Sequence, residues 1–192
     1  SSVTFGGNSD LQLDWLWVKR LDTTDNSKVF DTSRGIGSGN EPYLAANLTE
    51  EEQTYAYLTS VDSDGFTWDT VDSSVGASSN TYVAWAWKAN GGTTTTNDAS
   101  ATGVGTIDSV IQANTTAGFS IVTHTGTGSA GNIAHGLGAV PHWIITRNRT
   151  DGSTDWAIYH AHVGNAYYLE LNTTDGRETA SSVWGDTTPS ST

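Results

Sequence analysis

The chain has 192 residues, with 8 basic against 21 acidic side chains and a formal charge of −13, so a phosphate backbone is repelled and DNA and RNA are discarded as partners. It contains no cysteine, which excludes a disulfide scaffold and a thiolate metal site. Hydrophobic residues make up 35% and charged residues 15%, a neutral-polar profile that favours strands and turns over a disordered, highly charged chain. No apolar run approaches the roughly 18 residues of a membrane span, so no membrane insertion is expected. The chain opens Ser1-Ser2-Val3 without Met or a signal sequence, and is expected to be a processed form or a segment of something longer.

In chain order, Leu11 to Arg20 reads as a strand with Trp15 and Trp17 on one face and Leu16 and Val18 on the other, apolar on both sides. A turn at 22–27 leads to a short strand Lys28-Val-Phe-Asp31. A loop with Gly35, Gly37 and Gly39 precedes Tyr43 to Leu48, which pairs back to complete an antiparallel meander. Thr49 followed three residues later by Glu52 has capping-box spacing and predicts one or two helical turns. A tight turn at Val61–Gly65, a strand Phe66-Thr-Trp68 and a polar loop lead to Thr81-Tyr-Val-Ala-Trp-Ala-Trp-Lys88. Strict alternation makes this last stretch a strand, with Val83, Trp85 and Trp87 expected inward and Tyr82, Ala84 and Ala86 opposite.

The Gly/Thr/Asn-rich stretch 91–112 is read as a linker between a first β-sandwich repeat over 1–90 and a second over 113–192. The second begins with the alternating strand Gly118–Thr125, a glycine-rich turn at 126–131, and His135-Gly-Leu-Gly-Ala-Val-Pro141 running into His142–Arg149. An internal repeat follows from three landmarks in the same order. Trp15–Arg20 lies over Trp143–Asn148, Lys28–Asp31 over Trp156–His160, and Leu44–Thr49 over Leu169–Thr174. The strands Phe66–Trp68 and Thr81–Lys88 complete the first copy and have no counterpart in the second, which is expected to be incomplete at its C-terminal end.

Candidate chemistry is sparse. His160 and His162 share a strand face, with His124, His135 and His142 elsewhere, but no positioned carboxylate completes a zinc set. Asp62-Ser-Asp64-Gly65 begins like a calcium loop and lacks its later ligands, so an Asx turn is expected. Glu50, Glu51 and Glu52 form a charge run that reads as a solvated face rather than a glycosidase pair. No nucleophile elbow, phosphate-binding loop or zincin motif is present. Hence no catalytic or metal-binding residue and no cofactor is assigned, the chain is not expected to be an enzyme, and its binding residues are unknown. Of the eight tryptophans, Trp15, Trp17, Trp85, Trp87 and Trp143 are assigned to the core, and Trp68, Trp156 and Trp184 are the candidates for a sugar-facing surface. The sequons at Asn47, Asn114, Asn148 and Asn172 carry no argument in a Thr-rich chain.

Gly118-Phe-Ser-Ile-Val-Thr, His135-Gly-Leu-Gly with Pro141, Ile144–Arg149, Trp156–His160, Leu169–Thr174 and Thr81–Lys88, taken together, resemble a tandem repeat of virion proteins, the tail fibres and related appendages of marine and aquatic bacteriophages. The entry to the first copy, Asn8-Ser-Asp-Leu-Gln-Leu, departs from the His-Gly-Leu-Gly turn of the second. The resemblance implies an all-β chain of tandem antiparallel lectin-like β-sandwich units and a structural or adsorption role in an extracellular particle. It also implies other virion proteins and further copies of the chain as partners, with host-surface glycan as a contact. Tail fibre, other appendage and capsid decoration are not distinguished by it, and a stand-alone carbohydrate-binding module and a glycan-degrading enzyme are the rivals.

Overall fold

The computed structural model describes residues 2–8, 10–37, 39–69 and 72–192. Ser1, Ser9, Ser38, Thr70 and Val71, four of them in expected loops or the entry to the first copy, lie outside the described residues. The protein is all-β with antiparallel sheets, and its contacts divide it into two compact units, Ser1–Ala46 with Glu52–Thr93, and Asn47–Glu51 with Thr94–Thr192.

In unit 1, β1 (Ser2–Thr4), β6 (Leu58–Asp62) and β7 (Gly65–Trp68) form a three-stranded sheet. The five-stranded sheet runs β5 (Gln53–Tyr55), β4 (Glu41–Ala45), β3 (Lys28–Asp31), β2 (Trp15–Arg20), β8 (Tyr82–Trp87). The two sheets meet in one apolar cluster: Leu16, Val18 and Phe30 from the larger with Leu58, Phe66 and Trp68 from the smaller, closed by Val75. β1 lies against the Gly65 turn so closely that a Cβ there would stand 2.0 Å from the Val3 carbonyl oxygen, and φ at Gly65 is +143°. Both facts require glycine.

Two fully buried carboxylates organise the loops of this unit. Asp14 accepts from the backbone N–H groups of Ala89 (2.7 Å), Gly91 (2.8 Å) and Gly92 (2.7 Å) and from the Thr32 hydroxyl (2.9 Å). Glu41 accepts from the N–H groups of Gly39 (2.7 Å), Tyr57 (2.9 Å) and Leu58 (3.1 Å). A buried charge is tolerated because its lone pairs are filled by fixed donors.

Unit 2 holds a sheet β11 (Phe119–His124), β10 (Ser109–Asn114), β9 (Thr95–Asn97) and a sheet β12 (Trp143–Thr146), β13 (Ala157–His160), β14 (Tyr167–Glu170), β15 (Glu178–Thr179). The single described helix, α1 (Ala99–Thr102), is capped by Asp98, whose side chain accepts from the N–H groups of Ser100 and Ala101, and ends on Gly103 at φ +68°. The stretch 91–112, expected as a linker, therefore carries β9, α1 and the start of β10. Its small polar residues are used in caps and a three-strand ladder rather than in an apolar core.

The expected helix at Thr49–Glu52 does not form. Glu52 instead pairs with Arg34 at 2.9 Å, and the Thr49 and Glu50 carbonyls accept from Arg147, so these groups serve tertiary contacts. Trp15 pairs with Asp31 as Trp143 pairs with His160, and Val29 with Leu44 as Ile158 with Leu169. β8 covers the outer edge of β2, whereas β12 ends its sheet.

Replacing Asp14 with Ala would remove the acceptor of three backbone N–H donors, of which Ala89 is buried, and of the Thr32 hydroxyl. A loss of about 3 kcal/mol or more is expected in chemical denaturation, and a change within about 0.5 kcal/mol would show that these bonds do not hold the 89–92 turn.

Candidate functional site

Alternation fixes which residues of a strand share a face, and the packing partner decides which face is inward. On β2 the inward face is Leu16 and Val18, 0% and 1% exposed. The ladder sets Leu16 opposite Ala86 and Val18 opposite Ala84, and Trp15 opposite Trp87 and Trp17 opposite Trp85. All four indoles therefore project from the other face of the sheet. Trp85 is 43% and Trp87 39% exposed, with Trp15 and Trp17 half-buried beside them. This corrects the assignment of these four residues to the core.

The indoles pack on one another. Ring centroids are 4.9 Å apart for Trp15–Trp87, 6.0 Å for Trp15–Trp17 and 5.6 Å for Trp17–Trp85, the first two edge-to-face. Such pairs recover part of the apolar burial that outward tryptophans forgo. The Trp17 indole N–H is buried without an acceptor. The small residues on the inward face of β8 allow a second layer to approach: Val75 is fully buried, and at Gly76 a Cβ would meet the Trp68 side chain at 2.7 Å.

The tryptophans expected at a surface are anchors. Trp68 is buried against Phe66 at 5.0 Å and Phe30 at 6.2 Å. Trp156 is buried and donates to the Leu48 carbonyl at 3.2 Å. Trp184 is half-buried, donates to the Tyr167 carbonyl at 3.2 Å and stands edge-on to Tyr159. Trp143, expected inward, is 56% exposed.

The other candidates do not converge. The His160 and His162 rings lie 5.4 Å apart, and among the described residues no group of three or more His, Cys, Asp or Glu side chains could hold a metal ion. Asp64 accepts from the Leu11 N–H at 3.0 Å and Asp62 from the Thr67 hydroxyl at 3.3 Å, so both carboxylates of that turn face protein donors. Asn114 and Asn148 accept N–H bonds from within their own turns, and Asn172 bonds Trp156 and Asp155.

One buried arrangement was not legible in the sequence. Lys28, 6% exposed, donates to the Ser74 hydroxyl at 2.7 Å and lies over the rings of Tyr57 (5.0 Å) and Tyr43 (5.7 Å). Burial holds its ammonium below the ordinary lysine range, against the pull of Asp72 and Asp25; burial, and then Tyr43, push the Tyr57 hydroxyl up. The Ser74 hydroxyl in turn donates to the Asp72 carboxylate. The serine thus bridges a cation and an anion, and the trio is a structural relay rather than a nucleophile with its base.

A family model described as Domain of unknown function (DUF7483) matches residues 2–192. No curated protein and no solved structure matches the chain. Among the described residues no helix is long and apolar enough to cross a membrane.

The reversed faces predict opposite mutational costs. Trp68→Ala should destabilise by about 3–5 kcal/mol and Trp85→Ala by about 1 kcal/mol or less in equilibrium unfolding. Equal costs would contradict the outward placement of Trp85.

Proposed function

We propose that this chain, which belongs to the DUF7483 family, is a structural component of a bacteriophage particle, a tail fibre or other appendage, whose indole face contacts host-surface glycan. The observation that carries the glycan contact is the grouping of Trp15, Trp17, Trp85 and Trp87 on one sheet face, with Trp85 and Trp87 exposed. Indoles present flat apolar area with a polar rim, which suits the apolar face of a pyranose and its ring of hydroxyls. The charge of −13 favours neutral sugars over sulfated or phosphorylated ones, since long-range repulsion lowers the local concentration of anions.

The particle assignment rests on the sequence resemblance and on the all-β build, which suits a lectin-like scaffold. A stand-alone carbohydrate-binding module is the second reading, favoured by the same indole face. In a glycan array, the chain should bind neutral glycans, and Trp85→Ala/Trp87→Ala should abolish binding while leaving the melting temperature within a few degrees. Unchanged binding in the double variant, or no binding by the parent chain, would overturn the glycan role. Detection of the chain in purified particles supports the appendage reading, and its absence there supports the module.

A further inference from the structure

β8 and β12 each present an edge that no other strand covers among the described residues. The ladder shows which peptide groups stand on those edges. The bond from Leu21 N–H to the Thr81 carbonyl (2.8 Å) continues the β2–β8 register, so Val83, Trp85 and Trp87 direct their N–H and C=O groups to β2. Those of Ala84 and Ala86 point away from it. Likewise the bond from Ala161 N–H to the His142 carbonyl (2.8 Å) continues the β12–β13 register. Ile144 and Thr146 therefore bond inward, and Trp143 and Ile145 turn their peptide groups to the open side.

Within the strands, Tyr-Val-Ala-Trp-Ala-Trp and Trp-Ile-Ile-Thr contain no charge and no proline, so the usual edge protection is confined to the flanking Lys88, Pro141 and Arg147. Beside the β8 edge lies a groove of about 390 Å³ lined by Val18, Trp68, Val75, Tyr82 and Ala84 among others. It opens on the alanine face of β8, away from the four indoles. Beside the β12 edge stands Trp143, an apolar anchor that is 56% exposed.

We infer that the β12 edge of one copy of this chain adds antiparallel to the β8 edge of a second copy, with Trp143 entering the groove beside Ala84. The parity of the peptide groups makes the fit. When Trp143 and Ile145 bond across to Ala84 and Tyr82, or to Ala86 and Ala84, opposing side chains share a face. Trp143 then falls on the alanine and groove side. The interface continues a sheet that already exists, since β8 is bonded to β2 on its far side, and β12 corresponds through the repeat to β2, the strand β8 already pairs with. Because the two surfaces differ, the contact is heterologous and each copy keeps one of each free to bind another. The acidic charge of each copy opposes approach, so association strengthens with added salt.

Sedimentation of the purified chain at moderate salt tests this. The parent chain should associate with rising concentration. Trp143→Ala and Ala84→Lys, both at exposed positions, should each weaken association by about tenfold or more. Mixing the two variants should restore a one-to-one complex, because Trp143→Ala keeps the groove and Ala84→Lys keeps the anchor. A parent chain that stays monomeric at all concentrations and salts overturns the inference. So does association that both variants retain, or a mixture of two folded variants, checked by circular dichroism, that does not pair.

Discussion

Asp14 precedes β2 and binds, through one carboxylate, the turn that follows β8 and the Thr32 hydroxyl that follows β3. Three strands are thereby tied at one end by a single buried side chain. A slip of one residue between β2 and β8 would break these bonds and turn every side chain of β8 to the other face. The register held by Asp14 places Trp85 and Trp87 with Trp15 and Trp17, and leaves Ala86 against the core and Ala84 exposed on the groove. Both surfaces of functional interest, the indole face and the alanine-side groove, follow from that register.

The two units use the same three-strand meander in different settings. In unit 1 the first strand of the meander is central, flanked by β3 and β8. In unit 2 the equivalent strand is an edge, and its tryptophan stands in solvent where Trp15 packs on Trp87 at 4.9 Å. The meander itself is kept by local ladders with matching register, while the edge strand is the variable part. Segment 47–51 is held in unit 2 by the Trp156 indole N–H and the Arg147 guanidinium. Part of that guanidinium is buried without a partner, and desolvation lowers its pKa.

Much of the strand order was legible in the sequence because alternation and turn residues are local signals. Lys28–Asp31, Phe66–Trp68 and Tyr82–Trp87 form strands where their patterns place them, and the strand expected over Leu11–Arg20 begins only at Trp15. Which face of β8 is inward was not legible, because alternation of tryptophan with alanine is symmetric to inversion and size alone favoured burying the indoles. The deciding facts are distant in sequence: Val75 and Trp68 need a shallow surface to pack on, and Gly76 exists to admit Trp68. The elements in stretch 91–112 are hidden from the sequence pattern for a related reason, since caps such as Asp98 and Gly103 build structure without apolar side chains. The Lys28–Ser74–Asp72 relay joins residues more than forty positions apart, which no spacing rule reaches.

Both surfaces require tryptophans that lie outside the core, and solvent exposure of the eight indole N–H groups measures this directly. With the indole resonances assigned by single substitution, a soluble paramagnetic chelate should broaden Trp85, Trp87 and Trp143 strongly and leave Trp68 and Trp156 sharp. Protection of Trp85 and Trp87 together with broadening of Trp68 would mean that β8 faces the other way, and would remove the basis for both the glycan-contacting face and the groove.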